Sequence, residues 1–530
     1  MRRSLVLLAL CSVFLGCREE PAPAAKRPNV LWVVWDTTRA DHLSAYGYSR
    51  KTTPFLEEFS KNARVFEDCQ SSSCWTVPSH ASMFTGLLPA EHGAMHGSEF
   101  LDENLVTVAE LLRDSGYQTF AWAANPHVSA AENFLQGFDV QKHPFDEEVR
   151  ERAIEIFKRK VPESVSTREL AERAENRGTN PWVIKAAGEL GRENLATWLD
   201  ARDAQKPFLA FFNYMEAHRP LIPPREVREK LLTKEQVEAT YATEFPWNET
   251  WAYCFGLYEY SPERLEVLRD VYDAALLELD GLFAGLVAEL EKRGVAEDTV
   301  IVVTADHGEN LGEHHLLDHQ YALNQALVRV PLIVRYPARF APGRDKRPVM
   351  SMDLFPTLLE LAGLPVPQQG VRHAQSLLSP KETRVRVSDY QKAYGKPIVS
   401  ALKVHPERDF SRFANGLMSC TESGKWKLVQ ELGGATRLYD LESDAGELVD
   451  VAAKHPEVVE RLRGGLGRLM KAVQPIGKPT DDSERSEEHK RLLEELGYAG
   501  EGSELEFPKP PEAPKKTDDA GQADEPDEQR

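Results

Sequence analysis

Short apolar runs alternate with amphipathic stretches from residue 28 to about residue 365. The runs at 29–35, 119–124, 207–214, 299–305 and 331–336 are rich in Val, Ile, Phe and Trp and show no polar alternation. Continuous apolarity over so short a length predicts strands buried on both faces. Between them apolar positions recur at helical spacing, as at 265–292. Strands alternating with helices predict an α/β domain built on a mainly parallel sheet.

The charged, helix-like stretches 141–205 and 225–270 read as insertions covering one side of that sheet. From about 380 the pattern changes to short strand candidates, 425–431 and 437–441 among them, followed by a helix near 456–473. This divides the chain into a main domain at 28–379 and a smaller α+β subdomain at 380–475. Residues 476–530 are charged and poor in apolar side chains, apart from one helix candidate at 485–496. Such a tail cannot bury enough surface to order itself and is expected to be largely disordered.

Charge and hydropathy narrow the function. A net charge of -20 offers nothing basic enough to track nucleic acid. It leaves anionic small molecules open, because a bound cation can govern a site locally. After the N-terminus no apolar run approaches the ~20 residues that a spanning helix needs, which excludes a polytopic membrane protein. At the N-terminus Arg2 and Arg3 precede an apolar stretch at 5–16 that reads as an export signal. It closes on Phe14-Leu15-Gly16-Cys17, which resembles the lipobox of bacterial lipoproteins. Residues 1–17 are then the signal, Cys17 the lipidated residue and 18–27 a linker. Phe14 is unusual at its position, so plain cleavage or an uncleaved anchor stay open. A lipid on Cys17 would tether an otherwise soluble body to a membrane of the bacterial envelope, facing the periplasm or the exterior. Of the remaining cysteines, Cys69 and Cys74 form the nearest candidate disulfide, while four thiols packed as small hydrophobes is the alternative.

Candidate chemistry gathers where the predicted strands end. In open α/β sheets, ligands bind outside the carboxyl ends of the strands. One strand here runs into Asp36 and a second into Asn125 with His127 beyond. A third is followed by Glu216 and His218, and a fourth by Asp306-His307. Asp36, Asp306 and His307 are donors suited to Zn, Mn, Mg or Ca, and the Thr76 hydroxyl could complete a single-metal site. Pro78 favours the first turn of a helix, which places Thr76 just before a helix N-terminus where anions are favoured. A threonine hydroxyl needs such activation to act as a nucleophile; the plain alternative is an N-cap.

At these residues the chain resembles the sulfatase family of the alkaline phosphatase superfamily. The resemblance is carried by Pro28–Asp36, Arg39, Asp41, Tyr46-Gly47, Thr53-Pro54-Phe55-Leu56, 76–86, Pro89 and His92-Gly93. It continues through Gly137-Phe138-Asp139, His218-Arg219-Pro220, Ala305-Asp306-His307-Gly308-Glu309, 328–332, 352–357 and Leu438-Tyr439-Asp440-Leu441. These landmarks run in the family's order from about 28 to 472. They imply an alkaline phosphatase-like αβα sandwich with a large mixed sheet and a smaller C-terminal subdomain.

The family's Cys-x-Pro-x-Arg or Ser-x-Pro-x-Arg motif reads Thr76-Val77-Pro78-Ser79-His80 here. Threonine cannot become formylglycine, and Asp36-Thr37 stands where two aspartates are usual. The pattern is similar to the threonine-nucleophile branch of the superfamily. A threonine ester lacks the aldehyde route for expelling sulfate, so it must be cleaved by a second in-line attack, which suits phosphoryl groups. The resemblance implies one divalent ion held by Asp36, Thr76, Asp306 and His307, with Thr76 attacking. His319 and His218 are implied as proton-transfer or substrate-contacting groups, and His80, Asn125 and His127 as substrate-binding candidates. Glu313, His314 and His315 make a second donor-rich loop, but one ion is the expectation. The expected reaction is hydrolysis of a phosphate ester, small or linked to a glycan or lipid. Sulfate-ester hydrolysis, phospho-group transfer and a non-catalytic binding lipoprotein are the alternatives. The pattern sets neither the ion nor the oligomeric state.

Overall fold

A computed structural model describes residues 26–160 and 188–478, apart from 369–371, 392 and 423, together with residue 507. The signal segment with Cys17, most of the linker and the helix candidate at 485–496 lie outside the described residues.

Strand β1 (Asn29–Trp35) buries every residue. It lies between β5 (Phe208–Tyr214) and β6 (Thr299–Thr304), parallel to both. Beyond β5 come β3 (Gln118–Ala123) and the edge strand β4 (Val140–Lys142), also parallel. Beyond β6, strand β9 (Arg329–Arg335) runs antiparallel and joins β2 (Arg64–Gln70). Two short strands, β10 (Gly343–Asp345) and β11 (Val349–Met350), pair with β2. The result is a nine-stranded mixed sheet in which β9 alone runs against the rest.

Period-two alternation sends successive β1 side chains to opposite faces. Leu31, Val33 and Trp35 join a core under helix Pro262–Lys292 and the insertion helices Glu147–Lys160, Gly188–Ala201 and Trp247–Cys254. Val30, Trp32 and Val34 join a second core under helices Thr76–Thr85, Val108–Asp114 and Leu354–Leu361. Two helical layers on one sheet make the αβα sandwich, and both apolar faces explain the unbroken hydrophobic runs.

After β6 the chain makes a small hairpin, β7 (Asn310–Leu311) and β8 (Leu317–Asp318). The C-terminal region forms a four-stranded antiparallel sheet of β12 (Val385–Tyr390), β13 (Leu417–Glu422), β14 (Trp426–Glu431) and β15 (Thr436–Asp440). Helix Pro456–Ala472 covers it, with Val458, Leu462 and Leu466 against Val387, Cys420, Leu428 and Leu438. Cys69, Cys74, Cys254 and Cys420 are all buried free thiols, so the Cys69–Cys74 disulfide does not form. Burial raises their pKa values and leaves them packed as small hydrophobes. Among the described residues no helix is long and apolar enough to cross a membrane.

Candidate active site

Two adjacent parallel strands place the acidic donors. Asp36 follows β1 and is held there by its N–H donating to Tyr214 O at 2.8 Å. Asp306 and His307 follow β6, the neighbour of β1. One ligand atom from each of the three lies within 4.8 Å of the others, and all three residues are buried. His307 Nε2 is 3.3 Å from Asp306 Oδ2 and 3.9 Å from Asp36 Oδ1. His307 Nδ1 donates to Gly308 O at 2.9 Å, which leaves the Nε2 lone pair facing the carboxylates.

The other carboxylate oxygens are accounted for. Asp306 Oδ1 accepts from His307 N at 2.9 Å and Thr37 N at 3.3 Å. Asp36 Oδ2 accepts from Asn125 Nδ2 at 2.8 Å and Asn213 Nδ2 at 3.3 Å. Asp36 Oδ1 and Asp306 Oδ2 remain buried without a hydrogen-bond donor. Burial and the neighbouring Asp36 charge push the Asp306 carboxyl well above its ordinary range. Two orphaned anionic oxygens beside an imidazole lone pair are the donor set of a divalent cation, and the residues fit one.

The nucleophile candidate arrives from β2. A serine-rich loop at 71–73 leads into helix Thr76–Thr85, with Trp75 at the N-cap position. Thr76 is therefore the first helical residue, one place later than the sequence suggests. Its hydroxyl does not cap the helix. Instead Thr76 Oγ1 is 3.5 Å from His307 Nε2 and accepts from Asn125 Nδ2 at 3.2 Å. One turn on, His80 lies fully buried; its Nδ1 donates to Thr76 O at 3.0 Å and lies 3.5 Å from Asp306 Oδ2. Burial pushes the His80 pKa down to about 4, so the ring is neutral beside the nucleophile candidate. Like Thr76, it is not a cap.

Further imidazoles surround this centre. The His319 ring sits 4.5 Å from that of His307, and His218 sits 5.3 Å from His319. His127 donates its backbone N–H to Asn125 Oδ1 and meets Trp75 edge-on at 5.9 Å. Other expected groups point elsewhere. Glu216 packs toward Gly188, where an added Cβ would lie 2.7 Å from its Oε1. Glu313 pairs with Arg39 at 2.7 Å, and His315 stacks on Tyr253 and pairs with Glu259. His314 is exposed. Among the described residues this loop forms no second donor cluster.

Asn213 is a site residue that the sequence pattern hides. It is the one amide in the otherwise apolar β5, and that interruption was its only signal. Besides reaching Asp36, it accepts Asn125 N at 2.9 Å. Also unanticipated is a stack of Trp75 on His96 at 3.8 Å and of His96 on Tyr394 at 5.6 Å.

Residues 28–364, more than half of the chain, match the sulfatase family model. The chain belongs to the sulfatase family of ester hydrolases. Residues 312–472 match a second model, the C-terminal region of N-sulphoglucosamine sulphohydrolase. Among its relatives is an N-acetylglucosamine-6-O-sulfatase of Bacteroides thetaiotaomicron, 23% identical over 91% of this chain and 92% of that protein. Arylsulfatase K of Xenopus laevis is 24% identical over 77% of this chain and 76% of that protein. A phosphonate monoester hydrolase from Silicibacter pomeroyi superimposes with a TM-score of 0.63 and 20% identity, covering 85% of this chain and 96% of its own. A protein solved with its substrate D-glucosamine-2-N,6-O-disulfate gives 0.61 and 17%, covering 84% and 98%. At such identities the structural likeness speaks for the fold. Sulfatases normally use a divalent metal, and Asp36, Asp306 and His307 supply a ligand cluster for one.

Proposed function

We propose that this sulfatase-family protein hydrolyses a phosphate ester through a covalent intermediate on Thr76. The observation that carries the reading is the Thr76 hydroxyl, 3.5 Å from His307 Nε2 at the first turn of a helix and held by Asn125. A divalent ion on Asp36, Asp306 and His307, with Thr76 as a further ligand, would lower the pKa of that hydroxyl and offset charge on the transferred group. The dipole of the helix that Thr76 opens would favour an anion there.

Thr76 Oγ attacks phosphorus as its proton passes to solvent and the bond to the ester oxygen breaks, while His319 hydrogen-bonds that oxygen and His218, whose Nδ1 donates to Arg219 O at 2.6 Å, gives it a proton. Water then attacks phosphorus and returns a proton to His218, the bond to Thr76 Oγ breaks, and the threonine regains a proton from solvent. Asn125 orients the hydroxyl, and His80 and His127 bound the space for the anion. The phosphonate monoester hydrolases among the structural neighbours are compatible with phosphorus chemistry on this fold. The curated relatives named as sulfatases favour the second reading, a sulfate ester at the same site. We assign the protein to the bacterial envelope, anchored by lipid on Cys17, from its N-terminal pattern.

An aryl phosphate, an aryl phosphodiester and an aryl sulfate, compared on metal-loaded protein, rank the ester classes. The expected result is faster turnover of a phosphorus ester and loss of at least about 10³-fold in Thr76→Ala. Full activity in Thr76→Ala would remove the nucleophile assignment.

A further inference from the structure

The first strand of the C-terminal sheet, β12, touches both loops that carry the reacting groups. Side chains two residues apart on a strand share a face, and Arg386, Ser388 and Tyr390 do so here, all buried. Arg386 holds Asp68 of β2 with a guanidinium fork at 2.7 and 2.8 Å. Ser388 Oγ donates to Ser71 O at 2.6 Å and accepts from Gln70 Nε2 at 2.6 Å. The backbone adds to this, with Asp389 N donating to Ser72 O at 2.8 Å and Ser73 Oγ donating to Asp389 O at 2.7 Å. Ser71 Oγ in turn donates to Asp306 O. The loop that leads into Thr76 is thus hydrogen-bonded to β12 on one side and to the acidic donor strand on the other.

Tyr390 reaches the second loop. Its hydroxyl accepts from Tyr394 N at 2.9 Å and donates to Gln320 Oε1 at 2.8 Å. That bond fixes which end of the Gln320 amide faces inward, because a phenol whose acceptor side is used must donate to the oxygen. The Gln320 nitrogen is left 3.4 Å from His319 Nδ1. An amide nitrogen only donates, so His319 Nδ1 accepts, and the ring proton resides on Nε2. His319 Nε2 lies 3.5 Å from Asp318 Oδ1, a position suited to an N–H.

We propose that β12 is a positioning strand for the reaction, with Ser388 setting the Thr76 loop and Tyr390, through Gln320, holding His319 as the neutral tautomer whose Nε2–H hydrogen-bonds the departing oxygen. This rests on Thr76 as nucleophile and on His319 facing the leaving oxygen. Neither Ser388 nor Tyr390 touches the substrate, and each acts through a neighbour. The two contacts therefore affect different parts of the reaction. A loosened nucleophile loop slows every ester alike. Losing the His319 hydrogen bond slows those whose leaving oxygen carries most charge and spares those that leave as stable anions.

The test uses the metal-loaded full chain and two esters of whichever class it hydrolyses best, one with a 4-nitrophenyl and one with an alkyl leaving group. Ser388→Ala is expected to lower kcat on both by a similar factor, on the order of tenfold, with KM unchanged. Tyr390→Phe is expected to lower kcat on the alkyl ester about tenfold more than on the nitrophenyl ester. Gln320→Met, similar in length but without a donor for His319 Nδ1, must reproduce that leaving-group dependence if Tyr390→Phe folds poorly. Rates within twofold of the parent, or equal losses on both esters for Tyr390→Phe and Gln320→Met, would overturn the proposal. Thr76→Ala in the same assay separates the two claims: an active Thr76→Ala sinks the nucleophile reading. An inactive Thr76→Ala beside unaffected β12 variants sinks only the positioning role.

Discussion

Asn125 donates to Thr76 Oγ1 at 3.2 Å with the same nitrogen that lies 2.8 Å from Asp36 Oδ2. One amide at the end of β3 therefore ties the proposed nucleophile to an oxygen of the candidate metal-ligand cluster. Asn125→Ala is expected to reduce metal affinity or kcat by about 10–100-fold, the usual effect of deleting a ligand-orienting partner. Asn213→Ala, whose contact with Asp36 is longer at 3.3 Å, should cost less. Calorimetric ion titration of both variants beside steady-state kinetics checks the order.

Removing the cation should destabilise the fold as well as stop turnover. Asp36 Oδ1 and Asp306 Oδ2 are then left facing each other in the interior with no donor. Chelated protein is expected to melt lower, and adding back a divalent ion to about 100 times its Kd should restore roughly 2.7 kcal/mol. Asp306→Asn should bind the ion far more weakly and lose most of this response. Melting curves with and without chelator decide it; a Tm indifferent to the ion would argue against a cation at this cluster.

Asp389 makes stability depend on pH. It is buried, one carboxylate oxygen has no donor, and desolvation pushes its pKa up to about 7. The unfolded chain releases that proton near pH ~3.9. Between those values the folded state binds the extra proton, so this group's contribution to stability falls as pH rises and is level above about 7. The slope inside the window is up to about 1.4 kcal/mol per pH unit. Asp389→Asn should flatten that part of a Tm-against-pH profile, and an unchanged profile would exclude Asp389 as its source.

Lys427 and Glu447 form a buried ion pair at 2.8 Å between β14 and the loop after β15, with Lys427 also donating to Leu323 O. Lys427→Met leaves a carboxylate buried without its cation and should cost about 3–5 kcal/mol. Adding Glu447→Gln should recover part of that loss. Urea unfolding of the single and double variants gives both numbers, and a single-variant loss under about 1 kcal/mol would show that Glu447 finds water or another donor.

The strands that build the middle of the sheet were legible because burial on both faces leaves an unbroken apolar run. The run at 29–35 coincides with β1, and those near β3, β5, β6 and β9 shift by two residues or fewer. Strand β2 was not legible: its Arg64, Glu67 and Asp68 break the pattern, and each is paired by a charge from a distant segment, Asp345, Arg344 and Arg386. The same holds for β12, whose Arg386 and Asp389 break the apolar pattern and are covered by β2 and the serine loop. At the site, residues beginning a loop after an apolar strand stood out, as Asp36 and Asp306 did. Asn213 did not, because it lies within its strand. The Glu313–His315 loop shows the converse, since chemical richness in sequence does not place side chains toward a common point, in keeping with the expectation of a single ion.

Ser388 and the carbonyl it holds at Ser71 are separated by 317 residues of chain. Asp36, Thr76, Asp306 and His307 all precede Ser388 in order of synthesis, so a polypeptide growing from its N-terminus carries every metal-ligand and nucleophile candidate before it carries the strand that braces them. If the brace is needed, a nascent or truncated chain ending before residue 385 stays dormant, and competence arrives only with the C-terminal part of the molecule.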